Sequence, residues 1–172
     1  SKMPQAERVL KAGYEVLYLT VDEDEIVLQM LENAYDKPCV SVASEDALPV
    51  TDAEKASVEQ GEKDHKALLD FAQEPLKGEV SKVRISKILQ SGAVCLTAEG
   101  PVSLEMEKYF RKMRRDFPMS AQRVLELNPD APAFQALCKA YEEDKEKAAA
   151  YVEVLYNQAL IIADLPLPDP AR

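Results

Sequence analysis

The segment from Lys145 to Ala163 constrains the fold of this 172-residue chain more than any other. Its apolar residues recur at the three- and four-residue spacing of a helix with one broad apolar face. These residues are Tyr151, Val152, Leu155, Ala159, Leu160 and Ile162. A face of this breadth needs a covering surface in water, so the segment predicts a helix that packs on the rest of the chain or on a partner.

The first 44 residues carry an alternating pattern of helical and strand-like segments. Residues 4–12 predict a short helix closed by Gly13, and "YEVLYLT" at 14–20 is an apolar, β-branched and aromatic run that predicts a buried strand. A second helix is expected to continue to about Asn33, and "CVSVAS" at 39–44 predicts a second strand. Helix, strand, helix and strand together indicate a small α/β unit with parallel strands.

From Ser44 to about Pro75 the composition becomes polar and charged, which indicates a boundary. We expect a linker and then a long solvated helix. Apolar residues near the end of that helix, Leu68, Leu69 and Phe71, should contact a second core. The predicted parts of the chain are therefore 1–44, a linker and helix start at 45–63, and a domain at 64–172.

The second domain combines strand and helix patterns. "EVSKVRIS" and "AVCLTA" predict two strands, antiparallel or nearly so. The turn "NPDAP" is expected to place Asp130 at the N-cap of a helix that begins at "APAFQALCKAYEED". The predicted fold class is thus α/β and α+β: a small helix-strand-helix-strand unit followed by a helix-rich domain with a small sheet.

Between these strands and the turn lies "VSLEMEKYFRKM", residues 102–113, with Ser103 as the expected N-cap. Its apolar residues share one helical face. They are Val102, Met106, Tyr109, Phe110 and Met113, and we call them the 102–113 stripe. The spacing alone is typical of the buried face of an ordinary packed helix, and it also suits an exposed surface that binds something outside the chain.

Charge and cysteine usage exclude several classes of protein. Thirty-one acidic and 21 basic residues give a net charge of −10, which opposes binding to nucleic acid. No apolar run approaches the roughly 20 residues of a membrane span. Cys39, Cys95 and Cys138 form no CxxC pair and His65 is the single histidine, so a zinc site or a disulfide framework is not expected. The acidic run at 22–25 suits the first turn of a helix without any metal.

Three blocks carry a resemblance to a known family: "GYEVLYLTVDEDEIVLQML", "ELNPDAP", and "YNQALI" followed by "LPDP". In order and spacing they resemble the heat shock protein 90 chaperones, and in particular the bacterial HtpG type. The likeness spans nearly the whole chain. The histidine that follows "NPD" in the family is Ala131 here.

The resemblance implies a role for each part of the chain. Residues 1–44 would end the middle domain, and 64–172 would be the C-terminal dimerisation domain without its last helix. The ATP and magnesium sites of the parent chaperone would lie in other domains, so no catalytic residue, cofactor or metal is expected here. The 102–113 stripe would contact unfolded or partly folded client proteins. The helix at 145–163 would join a homodimer through the six apolar residues named above.

The resemblance also implies a cytoplasmic, stress-related protein-folding function, with no nucleic-acid or membrane partner. A chain that lacks the last helix is expected to be monomeric or to associate weakly. The alternative is an independent acidic interaction domain that uses the 145–163 helix to bind a partner helix. A small hydrolase is disfavoured, because one histidine and no glycine-rich nucleophile turn offer no activated nucleophile.

Overall fold

The computed structural model describes residues 4–21, 24–31, 33–34, 37–42, 52–86, 89, 92–100, 102–113 and 120–167. The elements, in chain order, are α1 (Pro4–Lys11), α2 (Asp24–Leu31), β1 (Asn33–Ala34), β2 (Lys37–Pro38), α3 (Asp52–Asp64), α4 (Lys66–Gln73), β3 (Lys82–Ile85), β4 (Val94–Glu99), α5 (Leu104–Met113), β5 (Gln122–Leu127), α6 (Pro132–Glu143) and α7 (Lys145–Ile162). The α+β fold class is confirmed. The predicted linker lies outside the described residues at 45–51 and belongs to α3 from Asp52 on. The "LPDP" block lies outside the described residues from 168 on.

The amino-terminal part agrees with the prediction at its two helices. Helix α2 ends at Leu31, close to the expected end near Asn33. Helix α1 ends at Lys11, and Gly13 follows it with a φ of +82°, the left-handed conformation that glycine adopts without strain. The predicted strand at 14–20 is wrong: this segment is irregular and Leu17 is 65% exposed. The predicted strand at 39–44 is wrong in its described part, 39–42. A strand is stable only as part of a sheet, and in the described residues neither segment belongs to one.

A two-stranded antiparallel hairpin, β1 with β2, takes the place of the expected parallel unit. It pairs Asn33 with Pro38 and Ala34 with Lys37. The prediction of parallel strands in this unit is therefore wrong for the described residues. Short strands joined by two residues can only pair antiparallel, because a parallel pair requires a long crossover.

The second part is built on a three-stranded mixed sheet in the order β3-β5-β4. Both predicted strands are confirmed, and they run in opposite directions, but they are not neighbours. Strand β5, which the sequence analysis missed, lies between them, parallel to β3 and antiparallel to β4. As the central strand it is almost entirely buried, from Arg123 to Leu127.

The helices cover this sheet. Helices α3 and α4 are separate, with a break at His65, rather than one long helix. Val58 of α3 is buried in the same core as Leu68 and Leu69 of α4, whose predicted contact with this core is confirmed. Helix α6 begins at Pro132 with Ala131 as its N-cap, so the prediction of Asp130 as N-cap is wrong. Instead the Asp130 amide donates to the Asn128 side chain at 3.0 Å and closes the turn.

Helix α7 begins one residue after Asp144, whose carboxylate accepts hydrogen bonds from the Glu146 and Lys147 amides at 3.0 and 3.1 Å. It packs on α6 and on β4. The most fully buried side chains of the core come from the sheet, α6 and α7. They include Ile85, Leu96, Leu125, Leu127, Leu137 and Leu160.

Candidate functional site

Helix α5 crosses from β4 to β5 and carries most of the 102–113 stripe. The chain leaves β4 through Gly100, which has a φ of +82°. The Ser103 hydroxyl then accepts a hydrogen bond from the Met106 amide at 3.0 Å, so the predicted N-cap is confirmed. These two local features fix where the helix begins.

The helix has two opposite faces. The inner face, toward the sheet and α7, consists of Leu104, Glu107, Lys108 and Arg111 at positions i, i+3, i+4 and i+7. The outer face consists of Met106, Tyr109, Phe110 and Met113 with the same spacing. Each outer-face residue follows the corresponding inner-face residue by two positions. At 3.6 residues per turn, two positions are a rotation of about 200° around the helix axis. On the inner face Leu104 and Glu107 are buried, Lys108 is half-buried and Arg111 reaches solvent, while Met106 on the outer face also touches the core.

The stripe residues differ in exposure. Val102 precedes the helix and is buried in the core, with 9% of its surface exposed. Met106 is partly buried against that core. Tyr109 and Phe110 are half-buried, with their rings edge to face at 5.8 Å between centroids, and Met113 is 66% exposed. Helix α2 also lies against α5. Of the stripe, Met113 is therefore the residue most open to a partner, Met106, Tyr109 and Phe110 are open in part, and Val102 is not.

Glu107 on the inner face is completely buried and fully hydrogen-bonded. Its carboxylate accepts from the Ala121 amide at 3.1 Å and pairs with the Arg123 guanidinium at the start of β5. Arg111, one turn along the helix, adds an ion pair at 2.9 Å. A buried carboxylate is costly unless such partners satisfy it, and here every bond ties α5 to itself or to β5.

Arg123 extends this network to α7. Its Nη1 donates to the Tyr156 hydroxyl at 3.0 Å, and that hydroxyl donates to Glu79 at 3.1 Å. Burial would lower the pKa of Arg123, but its hydrogen bonds to Glu107 and Tyr156 outweigh burial and leave the pKa above its usual value. Burial raises the pKa of Tyr156 more than the charge of Arg123 lowers it. Both groups therefore keep their protons at neutral pH.

A second buried ion pair lies within the sheet. Arg84 of β3 pairs with Glu126 of β5, and Glu126 also accepts from Ser86 at 2.8 Å and Thr97 at 3.1 Å. Neither ion pair was predicted from the sequence. Charged residues of opposite sign inside strand-like or helical runs were the available signal, but sequence spacing does not show which of them meet.

The predicted self-association residues of α7 lie mainly inside the chain. Val152, Leu155, Ala159 and Leu160 are buried in the core, and Tyr151 and Ile162 are partly buried against it. The exposed large apolar residues of this helix are Val154 and Ile161, at 63% and 64%. They are seven residues apart and so share one face, opposite the core.

Two kinds of site are absent from the part of the chain that the structure describes. It contains no group of three or more His, Cys, Asp or Glu side chains that could hold a metal ion. None of its helices combines the length and the apolar character that a membrane span requires. Cys39 is exposed, Cys138 half-buried and Cys95 buried, and none is in a disulfide.

Comparison with known proteins gives a match over the whole chain. The family model described as Hsp90 protein matches residues 1–172. The chaperone protein HtpG of Bacillus subtilis (strain 168) is 44% identical over 171 residues, which cover 99% of this chain and 27% of the relative. HtpG of Shouchella clausii (strain KSM-K16) is 43% identical over 172 residues, which cover 100% of this chain. HtpG of Clostridium botulinum (strain Langeland) is 44% identical over 172 residues, which cover 99% of this chain. The chain spans 27% of the length of each.

Proposed function

We propose that this chain, which belongs to the Hsp90 protein family, contributes client-protein contact and homodimer contact to an ATP-dependent chaperone of the cytoplasm. The relatives are named chaperones, and they are about four times as long as the matched part. ATP hydrolysis and magnesium binding are properties we expect of such a longer protein. We assign no catalytic residue to the residues of this chain.

The outer face of α5 carries the proposal of client contact. Four apolar side chains stand there because polar and charged groups hold the opposite face of the helix to the sheet. Flexible, polarisable methionine at Met106 and Met113, beside the aromatic rings of Tyr109 and Phe110, suits a surface that must accept many different sequences. An exposed apolar patch on a folded domain commonly marks such an interaction site.

The test compares two substitutions that each remove an equally exposed apolar side chain, one on the outer face and one elsewhere. Met113→Ser removes a side chain that is 66% exposed on the outer face, and Leu17→Ser removes one that is 65% exposed elsewhere. Binding of reduced and alkylated lysozyme, a permanently unfolded protein, is measured by fluorescence anisotropy with enough salt to screen charge attraction. We expect Met113→Ser to weaken binding about three- to tenfold, because one partly buried methionine contact with the probe is lost. Leu17→Ser should have little effect on binding.

Equal effects of the two substitutions would contradict a specific role of the outer face. So would a fall in melting temperature for Met113→Ser, since an exposed side chain should contribute little to folding. A combined Met106→Ser and Tyr109→Ser variant extends the test to the half-buried members of the face.

The proposal of homodimer contact concerns α7. Its support is the family membership together with Val154 and Ile161, which remain exposed after the chain has buried the rest of the helix face. Two side chains cover far less than a stable interface requires. We therefore expect these 172 residues alone to sediment as a monomer at micromolar concentration, and a full-length HtpG-type chaperone that contains them to dimerise. Failure of both to associate would contradict the dimer role of α7.

A further inference from the structure

The way in which α5 is attached leads to an inference that rests on the proposed client contact. An amphipathic helix ordinarily packs through its apolar side, and α5 packs through that side only in part: Met106 touches the core, while Met113 is 66% exposed. The inner face contributes one fully apolar buried side chain, Leu104, and the completely buried Glu107.

Polar bonds supply the remaining attachment. Glu107 binds Arg123 and the Ala121 amide, both at the start of β5. Lys108 donates to the Ala163 carbonyl at the C-terminal end of α7, at 3.2 Å. Hydrogen bonds from charged side chains depend strongly on geometry, so these bonds fix the rotation of the helix about its own axis. A rotation by half a turn would bury the outer face and expose Glu107.

We propose that Glu107 and Arg123 are positioning residues, which hold α5 in the rotation that presents its outer face to client proteins. Arg123 contacts Tyr156 as well, so the same guanidinium links the client-contact helix to α7. The two residues act through the helix and need not touch a client themselves. Binding of a client by a preformed face saves the cost of ordering that face.

The chain contains a matched control. Glu126 is also almost completely buried and paired with an arginine, Arg84, but its described partners lie on the sheet strands and the residue that follows β3. Glu107→Gln and Glu126→Gln therefore remove the same charge from similar surroundings, and each removes the closest carboxylate of a buried arginine. Arg123 keeps its contacts with Tyr156 and Glu79, and Arg84 keeps its contact with Glu99. Both should lower the melting temperature by a similar amount. Only Glu107→Gln should release α5.

Hydrogen exchange of the amides at 104–113, read by NMR or mass spectrometry on the 172-residue chain, measures the attachment of α5. We expect Glu107→Gln to accelerate exchange there by about tenfold or more over Glu126→Gln, the factor for losing a charge-assisted hydrogen bond. Arg123→Lys, which keeps the charge but loses the two-pronged contact, is a milder variant in case Glu107→Gln does not fold. It should accelerate exchange to an intermediate degree.

Affinity for the alkylated lysozyme probe supplies the second measurement. Glu107→Gln should weaken binding about fivefold relative to Glu126→Gln, because a loosened helix must be ordered on binding. Equal exchange at 104–113 in the two glutamine variants would overturn the proposal, and so would a released helix with unchanged affinity. If the wild-type chain does not bind the probe, the proposed client contact fails, and the exchange data alone then decide whether Glu107 holds α5.

Discussion

Two adjacent residues on α7 separate a folding role of this helix from an association role. Leu160 is completely buried in the chain's own core, and Ile161 is 64% exposed. Replacing each with alanine changes a similar volume on neighbouring positions of one helix. We expect Leu160→Ala to destabilise the chain and Ile161→Ala to leave its stability almost unchanged.

The magnitudes follow from burial. A leucine removed from a close-packed core costs about 2–5 kcal/mol, the lost transfer free energy plus the cavity that remains. For a chain of this size that corresponds to a fall in melting temperature of about 2–4 °C per kcal/mol, or roughly 5–20 °C in total. An exposed isoleucine contributes about 0.5 kcal/mol or less, and the higher helix propensity of alanine offsets part of that loss.

Urea unfolding followed by circular dichroism, at several protein concentrations, provides the assay. Leu160→Ala should lower the midpoint at every concentration with an unchanged slope, as expected for a two-state loss of stability. If Leu160→Ala left the midpoint unchanged at low concentration and only weakened association, Leu160 would be an interface residue. The intrachain core described above would then be wrong at this position.

Two further predictions concern titratable groups. Burial raises the pKa of Tyr156. The contribution of this tyrosine to stability is therefore fully present below its unfolded pKa of about 10 and is lost as the pH rises through its folded pKa. Between about pH 9 and pH 11 the urea midpoint of Tyr156→Phe should fall less than that of wild type. The pKa of Cys95 is raised by burial and then by the charge of Glu126, so at about pH 8.5 a thiol reagent should label exposed Cys39 first and Cys95 only on unfolding. Mass spectrometry of labelled peptides checks this order, and equally fast labelling of both thiols in the folded chain would contradict it.

Sequence patterns predicted the helix ends whose caps are local. The glycine after α1, Gly13, and the start of α5 at Ser103 belong to this group, since each depends on short-range chemistry. Strands β3 and β4 were predicted from their own apolar residues, but the pattern did not show that both pair with β5. The strand predicted at 14–20 failed because apolar composition alone does not make a strand. A strand is stable only as part of a sheet, and in the described residues this segment does not belong to one.

Strand β5 was missed for a different reason. "QRVLEL" places Arg123 and Glu126 in a run that also contains Val124, Leu125 and Leu127, so it shows no regular alternation of polar and apolar residues. Each charge is nonetheless buried, because a partner of opposite charge lies on another element. Arg123 pairs with Glu107 of α5, and Glu126 pairs with Arg84 of β3. A pattern that treats charge as a sign of exposure cannot identify such a strand.

The same ion pair explains why the pattern of α5 was ambiguous. Periodicity showed that Met106, Tyr109, Phe110 and Met113 share a face, but it could not show which way that face points. The choice depends on Glu107, whose burial is tolerable because Arg123 meets it across 16 residues of sequence. We infer that this charge pair favours the rotation of α5 in which Met113 is exposed, since any rotation that buried Met113 would move Glu107 away from Arg123.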